Sequence, residues 1–165
     1  MKLDELQERL AAFLNERGVP AMASWPEGRR QDGQEPMVLV SLDKLDCGPA
    51  AMQDYLGQVL DEESGMWQEL YGRRAKVTFV LDVLARPGVG MQACRSTLDE
   101  LLRVLQREKP VGLSVSELKG EEPEYDEKEG LLRLRCRLAC SGWLYAMGDG
   151  ADTFLDFTLK GDVNT

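Results

Sequence analysis

The sequence predicts an α+β domain: a mostly antiparallel (mixed) β-sheet, two amphipathic helices packed on one face, and a long β-hairpin projecting beyond it. Three observations predict this. Residues 2–17 and 90–107 each repeat apolar side chains at helical spacing, which gives one stripe per helix. Residues 131–147, LLRLRCRLACSGWLYAM, place Leu132, Leu134, Cys136, Leu138 and Cys140 on one side of an extended strand and Arg133, Arg135 and Arg137 on the other. Residues 67–85 hold a period of two for longer than an ordinary sheet needs, so their first part extends past the domain.

In chain order, the first helix carries Leu3, Leu6, Leu10, Phe13 and Leu14 on its stripe. Asp4 and Glu5 suit the positive end of its dipole, and Gly18 and Pro20 end it. A short strand over 19–25 leads into a polar loop, WPEGRRQDGQEP, at 25–36. MVLVSL, 37–42, is apolar on both faces and predicts a central strand.

Residues 43–72 approximate a helical stripe through Met52, Tyr55, Leu56, Val59 and Leu60, but Glu63-Ser64-Gly65 is turn-like. A hairpin is the preferred reading. After that turn Trp67, Tyr71, Ala75, Val77, Phe79, Leu81 and Val83 keep a period of two as far as Ala85, broken at Glu69 and Arg73. ARPGVG breaks the chain before the second helix, whose stripe is Met91, Cys94, Leu98, Leu101, Leu102 and Leu105. Pro110 stops it, and 111–119 form a strand. An acidic turn, 121–130, leads into the arginine-bearing strand, where Gly142 marks a bulge or bend. GDGAD turns the chain into a last strand at 153–161.

The 165 residues suit a single domain, 1–165, with a substantial core. No apolar run is long enough to span a bilayer, and MKLDELQERL lacks the basic start and apolar block of a signal peptide, so synthesis in the cytoplasm with no membrane partner is expected. A net charge of -9 opposes nonspecific binding to phosphate backbones, and no sequence-specific nucleic-acid motif is present. The three-arginine ladder in so acidic a chain requires carboxylate partners, from the same chain or a neighbouring subunit.

Catalytic chemistry is not signalled. The chain has no histidine, which removes Ser-His-Asp and Cys-His arrangements. Its glycines form no phosphate-cradling loop. The carboxylate clusters at 61–63 and 121–129 lie in turns and read as solvated runs. GDGAD lacks the later ligands of a calcium loop. Cys47, Cys94, Cys136 and Cys140 match no zinc template and read as free thiols, those on apolar faces buried. No cofactor and no metal are expected. Trp143 is read as core; Trp67 and Tyr71, on the projecting segment, are candidates for a contact between subunits.

The segments LYGRRAKVTFVLDVLA (70–85), GMQACRSTLDELLRVL (90–105), PEYDEKEGLLRLRCRLACSGWLYA (123–146) and FLDFTLKG (154–161) together resemble the tail terminator family of long-tailed phages, the α/β tail-completion proteins that include the lambda-type minor tail protein. The likeness lies in the order and pattern of elements and covers less than half of the chain. It implies a non-enzymatic structural protein of a phage or prophage. Such a protein forms a ring, typically a hexamer of itself, that ends tail-tube growth and meets the tail-tube protein on one side and head–tail connector or neck proteins on the other. Its final location would be the virion tail. A ring uses heterologous interfaces, and the candidate interface residues are Arg133, Arg135, Arg137, Glu124, Asp126, Trp67 and Tyr71. The alternative is a small cytoplasmic adaptor or inhibitor that binds one partner through its open sheet face.

Overall fold

The computed structural model describes residues 3–23, 35–49, 55–148 and 158–160. The elements are α1 (Leu3–Glu16), β1 (Ala21–Met22), β2 (Met37–Pro49), β3 (Tyr55–Leu60), β4 (Trp67–Ala85), α2 (Met91–Arg107), β5 (Ser114–Gly120), β6 (Glu124–Asp126), β7 (Leu131–Gly148) and β8 (Thr158–Lys160). One sheet runs β1-β2-β4-β7-β5, with β3 on β4 and β6 and β8 on β7. Every pairing is antiparallel except β1 with β2. The α+β architecture is therefore the one the sequence predicts, and no helix among the described residues is long and apolar enough to cross a membrane.

Side-chain alternation sets the two faces. Ala75, Val77, Phe79, Leu81, Val83 and Ala85 of β4 are buried, as are Leu132, Leu134, Cys136, Leu138 and Cys140 of β7. They form one core with Leu6, Leu10 and Leu14 of α1 and Cys94, Leu101 and Leu105 of α2, so both helices cover the same face. The α1 stop works as its residues suggest. Gly18 at φ 82° donates its N–H to Asn15 O at 3.1 Å, and Val19 donates to Leu14 O at 3.0 Å, the paired bonds of a Schellman cap. Arg17 then ties α1 to the end of α2, donating from Nε to Glu108 at 2.8 Å while its guanidinium lies 3.7 Å over the Phe13 ring.

β4 and β7 are the long axis. β4 has 19 residues and β7 has 18, paired without a register shift from Ala85↔Leu132 to Glu69↔Gly148. At about 3.3 Å per residue, β4 is on the order of 60 Å long. The helices cover its C-terminal half. Its N-terminal part continues outward as an arm, paired with β3 through Leu60↔Trp67 on one side and with the end of β7 on the other.

Several expectations are corrected. The projection is wider than a hairpin, because β7 runs along it as a third strand. β2 is not central: only the two-residue β1 flanks it on its outer side, and it continues to Pro49 past a bulge between Leu42 and Lys44. The backbone N–H of Leu42 donates to Gln7 Oε1 at 3.1 Å. Gly142 is no bulge; it pairs with Ala75 in unbroken register, two small buried residues facing each other. Trp143 is half-buried on the open face opposite Arg74, because its odd position puts it out of phase with the core residues of β7. The acidic turn holds a short strand, β6, and β5 begins at Ser114, after a one-turn 3-10 helix at Pro110–Gly112. Trp25, GDGA at 148–151 beyond its first glycine, Asp152 and residues 153–157 of the expected last strand lie outside the described residues; 158–160 are β8.

Candidate interface surfaces

The arginine ladder is built by register. Arg135 stands opposite Asp82, Arg137 opposite Val80 and Arg133 opposite Leu84. Asp82 is the one charged residue in the apolar run of β4 from Val77 to Ala85, and it takes the even-numbered face, away from the helices. Arg135 grips it with two bonds, Nε to Oδ1 at 2.9 Å and a terminal nitrogen to Oδ2 at 3.1 Å. This fork matches carboxylate geometry. Arg133 lies with its Nε 4.0 Å from Asp82 Oδ2 and a terminal nitrogen 2.8 Å from Asp126 Oδ2. The result is a chain Arg135–Asp82–Arg133–Asp126 across three strands.

The chain is largely out of water. Asp82 is 7% exposed. The Arg133 Nε is buried with no hydrogen-bond partner. The bond to Asp82, and after it the field of that carboxylate and of Glu121 and Glu124, raises the Arg135 pKa, so it stays charged. Asp126 is held below the usual carboxylate range, first by the N–H of Glu129, then by Arg133 and the N–H of Lys128. Those N–H groups donate to Asp126 Oδ1 at 3.3 and 3.0 Å, closing the turn that returns into β7.

Two of the three ladder arginines thus find partners within the chain. Arg137 is exposed and has no ion pair among the described residues. Glu124 sits opposite Arg133 in the β6–β7 register. Of the remaining acids of the turn, Glu122 pairs with Arg95 at 3.1 Å, while Glu121, Glu127 and Glu129 are exposed. Lys119, opposite Arg137 on β5, pairs with Glu117 at 3.0 Å.

Trp67 and Tyr71 lie on the arm. Trp67 is 66% exposed, and so is Met66 beside it; Leu60, its pairing partner, is 46% exposed. Val59 and Tyr55 extend this apolar surface along β3. Tyr71 is more enclosed: its ring packs edge-on against Tyr55 at 5.5 Å between centroids, and its hydroxyl donates to Glu69 at 2.5 Å. The turn at the tip is tightly organised. Asp61 accepts from Ser64 Oγ at 2.5 Å and from the Glu63 N–H at 3.1 Å, Gly65 donates to Asp61 O at 2.8 Å, and Gly65 takes φ 66°. The bonds from Ser64 and Glu63 lower the Asp61 pKa, the Ser64 hydroxyl most. Glu62 and Glu63 point from that turn into solvent as exposed charges.

A cleft of about 310 Å³ in the helical layer is lined by Arg17 and Val19 beyond the end of α1 and by Glu100, Arg103, Val104, Arg107 and Glu108 of α2 and its C-cap. Arg103 and Arg107 are exposed, one helical turn apart, and make no ion pair among the described residues. No group of three or more potential metal ligands converges among the described residues.

The sequence pointed to Arg133, Arg135, Arg137, Asp126 and Trp67 but not to Asp82, Met66 or Leu60. Asp82 carried a signal, a lone charge inside an apolar strand and out of phase with its core side. Met66 and Leu60 carried none, since nothing in their composition says that the arm leaves them uncovered.

No family model matches this chain, and no curated protein matches it. Among solved structures, it is similar to a chain of the virion of a native gene transfer agent particle, at 18% identity over 85% of this chain and 95% of that one, with a TM-score of 0.41. It is also similar to a sheath/tube terminator of an extracellular contractile injection system in its extended state, at 12% identity and a TM-score of 0.46. All of this chain is covered in that second match, and it spans 65% of the terminator's length.

Proposed function

We infer that this chain is a non-enzymatic structural protein of a phage-type tail, a tail-completion protein of the terminator class. In this reading copies of it close into a ring that ends tube growth, touching the tail-tube protein on one side and connector or neck proteins on the other. The observation that supports it best is the arm. Strands on the order of 60 Å long carry a rigid tip, well beyond the helix-covered core, that exposes Met66, Trp67 and Leu60. A protein that acts alone gains nothing from such a tip, while an assembling one uses it to reach its neighbour. The resemblance in element order over residues 70–161 supports the same reading.

On the open face Arg74, Lys76 and Arg137 are exposed with no ion pair among the described residues, and Glu121, Glu124, Glu127 and Glu129 are exposed acids at its rim, while Arg133 and Arg135 are engaged within the chain. The test is absolute mass in solution by light scattering over a range of concentration and salt, with electron microscopy of tubes grown in the presence of the protein. A closed ring, and tubes that stop with it at one end, is the expected result. A strict monomer that leaves tube length unchanged would remove the terminator reading in favour of an adaptor.

A further inference from the structure

The self-assembling ring leaves open which surfaces meet, and the described edges of the sheet answer part of that. Three edge strands are irregular in ways that disfavour strand addition: β2 by its bulge at Leu42/Lys44 and by Pro49, β3 by its bulge at Tyr55/Gly57, β5 by its bulge at Val115/Glu117 and by Lys119. Side-chain surfaces are the better contacts there.

Two of these are complementary. The arm tip carries exposed Met66 and Trp67 beside the exposed acids Glu62 and Glu63. The cleft in the helical layer offers Val104 beside Arg103 and Arg107, over the buried Val19, and also holds Glu100 and the Arg17–Glu108 ion pair. The two cannot meet within one chain. Val19 lies next to Pro20, whose carbonyl accepts from Val38, and Val38 pairs with Val83 near the C-terminal end of β4. Trp67 begins β4, so tip and cleft are on the order of 50 Å apart along a strand paired on both sides.

Resting on the ring reading, we propose that the arm tip of each copy docks into the helical cleft of the next, with Trp67 and Met66 entering beside Val104 and Glu62 and Glu63 facing Arg103 and Arg107. One patch meets a different patch on the neighbour, which is the heterologous contact that closes rings. Charge pairing sets the direction of docking and selects against tip-to-tip contact, where like charges would meet.

The experiment is a charge swap read by sedimentation velocity. Glu62→Arg with Glu63→Arg, and separately Arg103→Glu with Arg107→Glu, each raise the concentration for half-assembly at least tenfold. The chain carrying all four substitutions recovers most of the wild-type value. Asp61 is left in place because it holds the turn, and all swapped residues are exposed, so folding is checked by thermal melts alone. Trp67→Ala weakens assembly without rescue by any swap. Association that survives both swaps unchanged overturns this contact and leaves the ring reading standing. A wild type that remains a monomer throughout and leaves tube length unchanged overturns both.

Discussion

Asp82 and Arg135 face each other across the β4–β7 ladder, 53 positions apart in sequence, and are joined by two hydrogen bonds of 2.9 and 3.1 Å. Asp82 also lies 4.0 Å from an Arg133 Nε that is buried without a hydrogen-bond partner. Asp82 and Asp126 together therefore balance the two guanidinium groups. Asp82→Ala leaves the Arg135 guanidinium half-buried without its paired carboxylate, while Arg133 keeps Asp126. Removing one partner of a fully buried pair costs about 3–5 kcal/mol. Because the Arg135 side chain is 38% exposed, the loss is expected to be nearer about 1–3 kcal/mol once solvent screening is allowed for. Urea unfolding checks it; an unchanged midpoint would show that the pair contributes nothing net.

Substitution at the ladder separates fold from contact. Arg135→Glu sets two carboxylates against each other in the β4–β7 register, so it destabilises the chain whatever it does to assembly. Arg137→Glu alters an exposed side chain with no ion pair among the described residues. It is expected to change thermal stability little, within about 0.5 kcal/mol. If Arg137 contacts a neighbouring copy, the same substitution weakens assembly and flattens its salt dependence.

Acid weakens this fold through named groups. Asp126, Asp61 and Glu108 all have pKa values below the ordinary carboxyl range, through the Glu129 N–H, Ser64 and Arg17 respectively. A carboxyl whose folded pKa is depressed takes up its proton more readily when unfolded. Its stabilisation is thus complete above the unfolded value near 4 and is lost as pH falls through the folded one. Chemical denaturation between pH 7 and pH 3 should show stability falling below about pH 4, and Asp126→Asn should make that fall shallower. An unaltered slope in the Asn variant would remove Asp126 from the account.

The thiols divide by burial. Cys136 and Cys140 lie in the core with pKa values pushed up to about 12, mainly by burial, and burial also raises Cys94. Cys47 is exposed on β2. A thiol-reactive dye at pH 8 should label Cys47 within minutes and the other three only on unfolding, because the thiolate is the reactive form. The raised values also predict an alkaline limit. Neutral buried thiols support the fold up to the unfolded pKa near 8.5, and that support is lost as pH climbs towards about 12.

Phe79 is the largest fully buried side chain among the described residues, 1% exposed, on the helix-covered face of β4. Phe79→Ala is expected to cost about 3–5 kcal/mol through lost burial and the cavity left behind. Gly18→Ala, which forces a left-handed conformation on a residue with a Cβ, is expected to cost about 1 kcal/mol. Thermal melts order the two, and a Gly18→Ala variant as unstable as Phe79→Ala would mean that the α1 cap does more than end a helix.

Periodicity by itself determined the helices, the long strand 67–85 and the two faces of 131–141, because whether a side chain faces core or solvent depends on spacing that is written locally. It also carried the turn at 61–66, where Asp61, Ser64 and Gly65 satisfy their own backbone. What it left open were relations between distant segments. That Asp82 meets Arg135, that Arg133 reaches Asp126, that β7 runs along the arm, and that β2 lies near an edge are all consequences of register, which no single strand encodes. Trp143 shows the same limit: its size suggests core, and only its phase relative to Leu138 and Cys140 turns it to the open face. Tertiary structure likewise decided which apolar residues stay uncovered. Leu10 and Leu60 are the same residue type, and one is buried while the other is 46% exposed, because the helices cover one half of the long strands and leave the other half for whatever the arm meets.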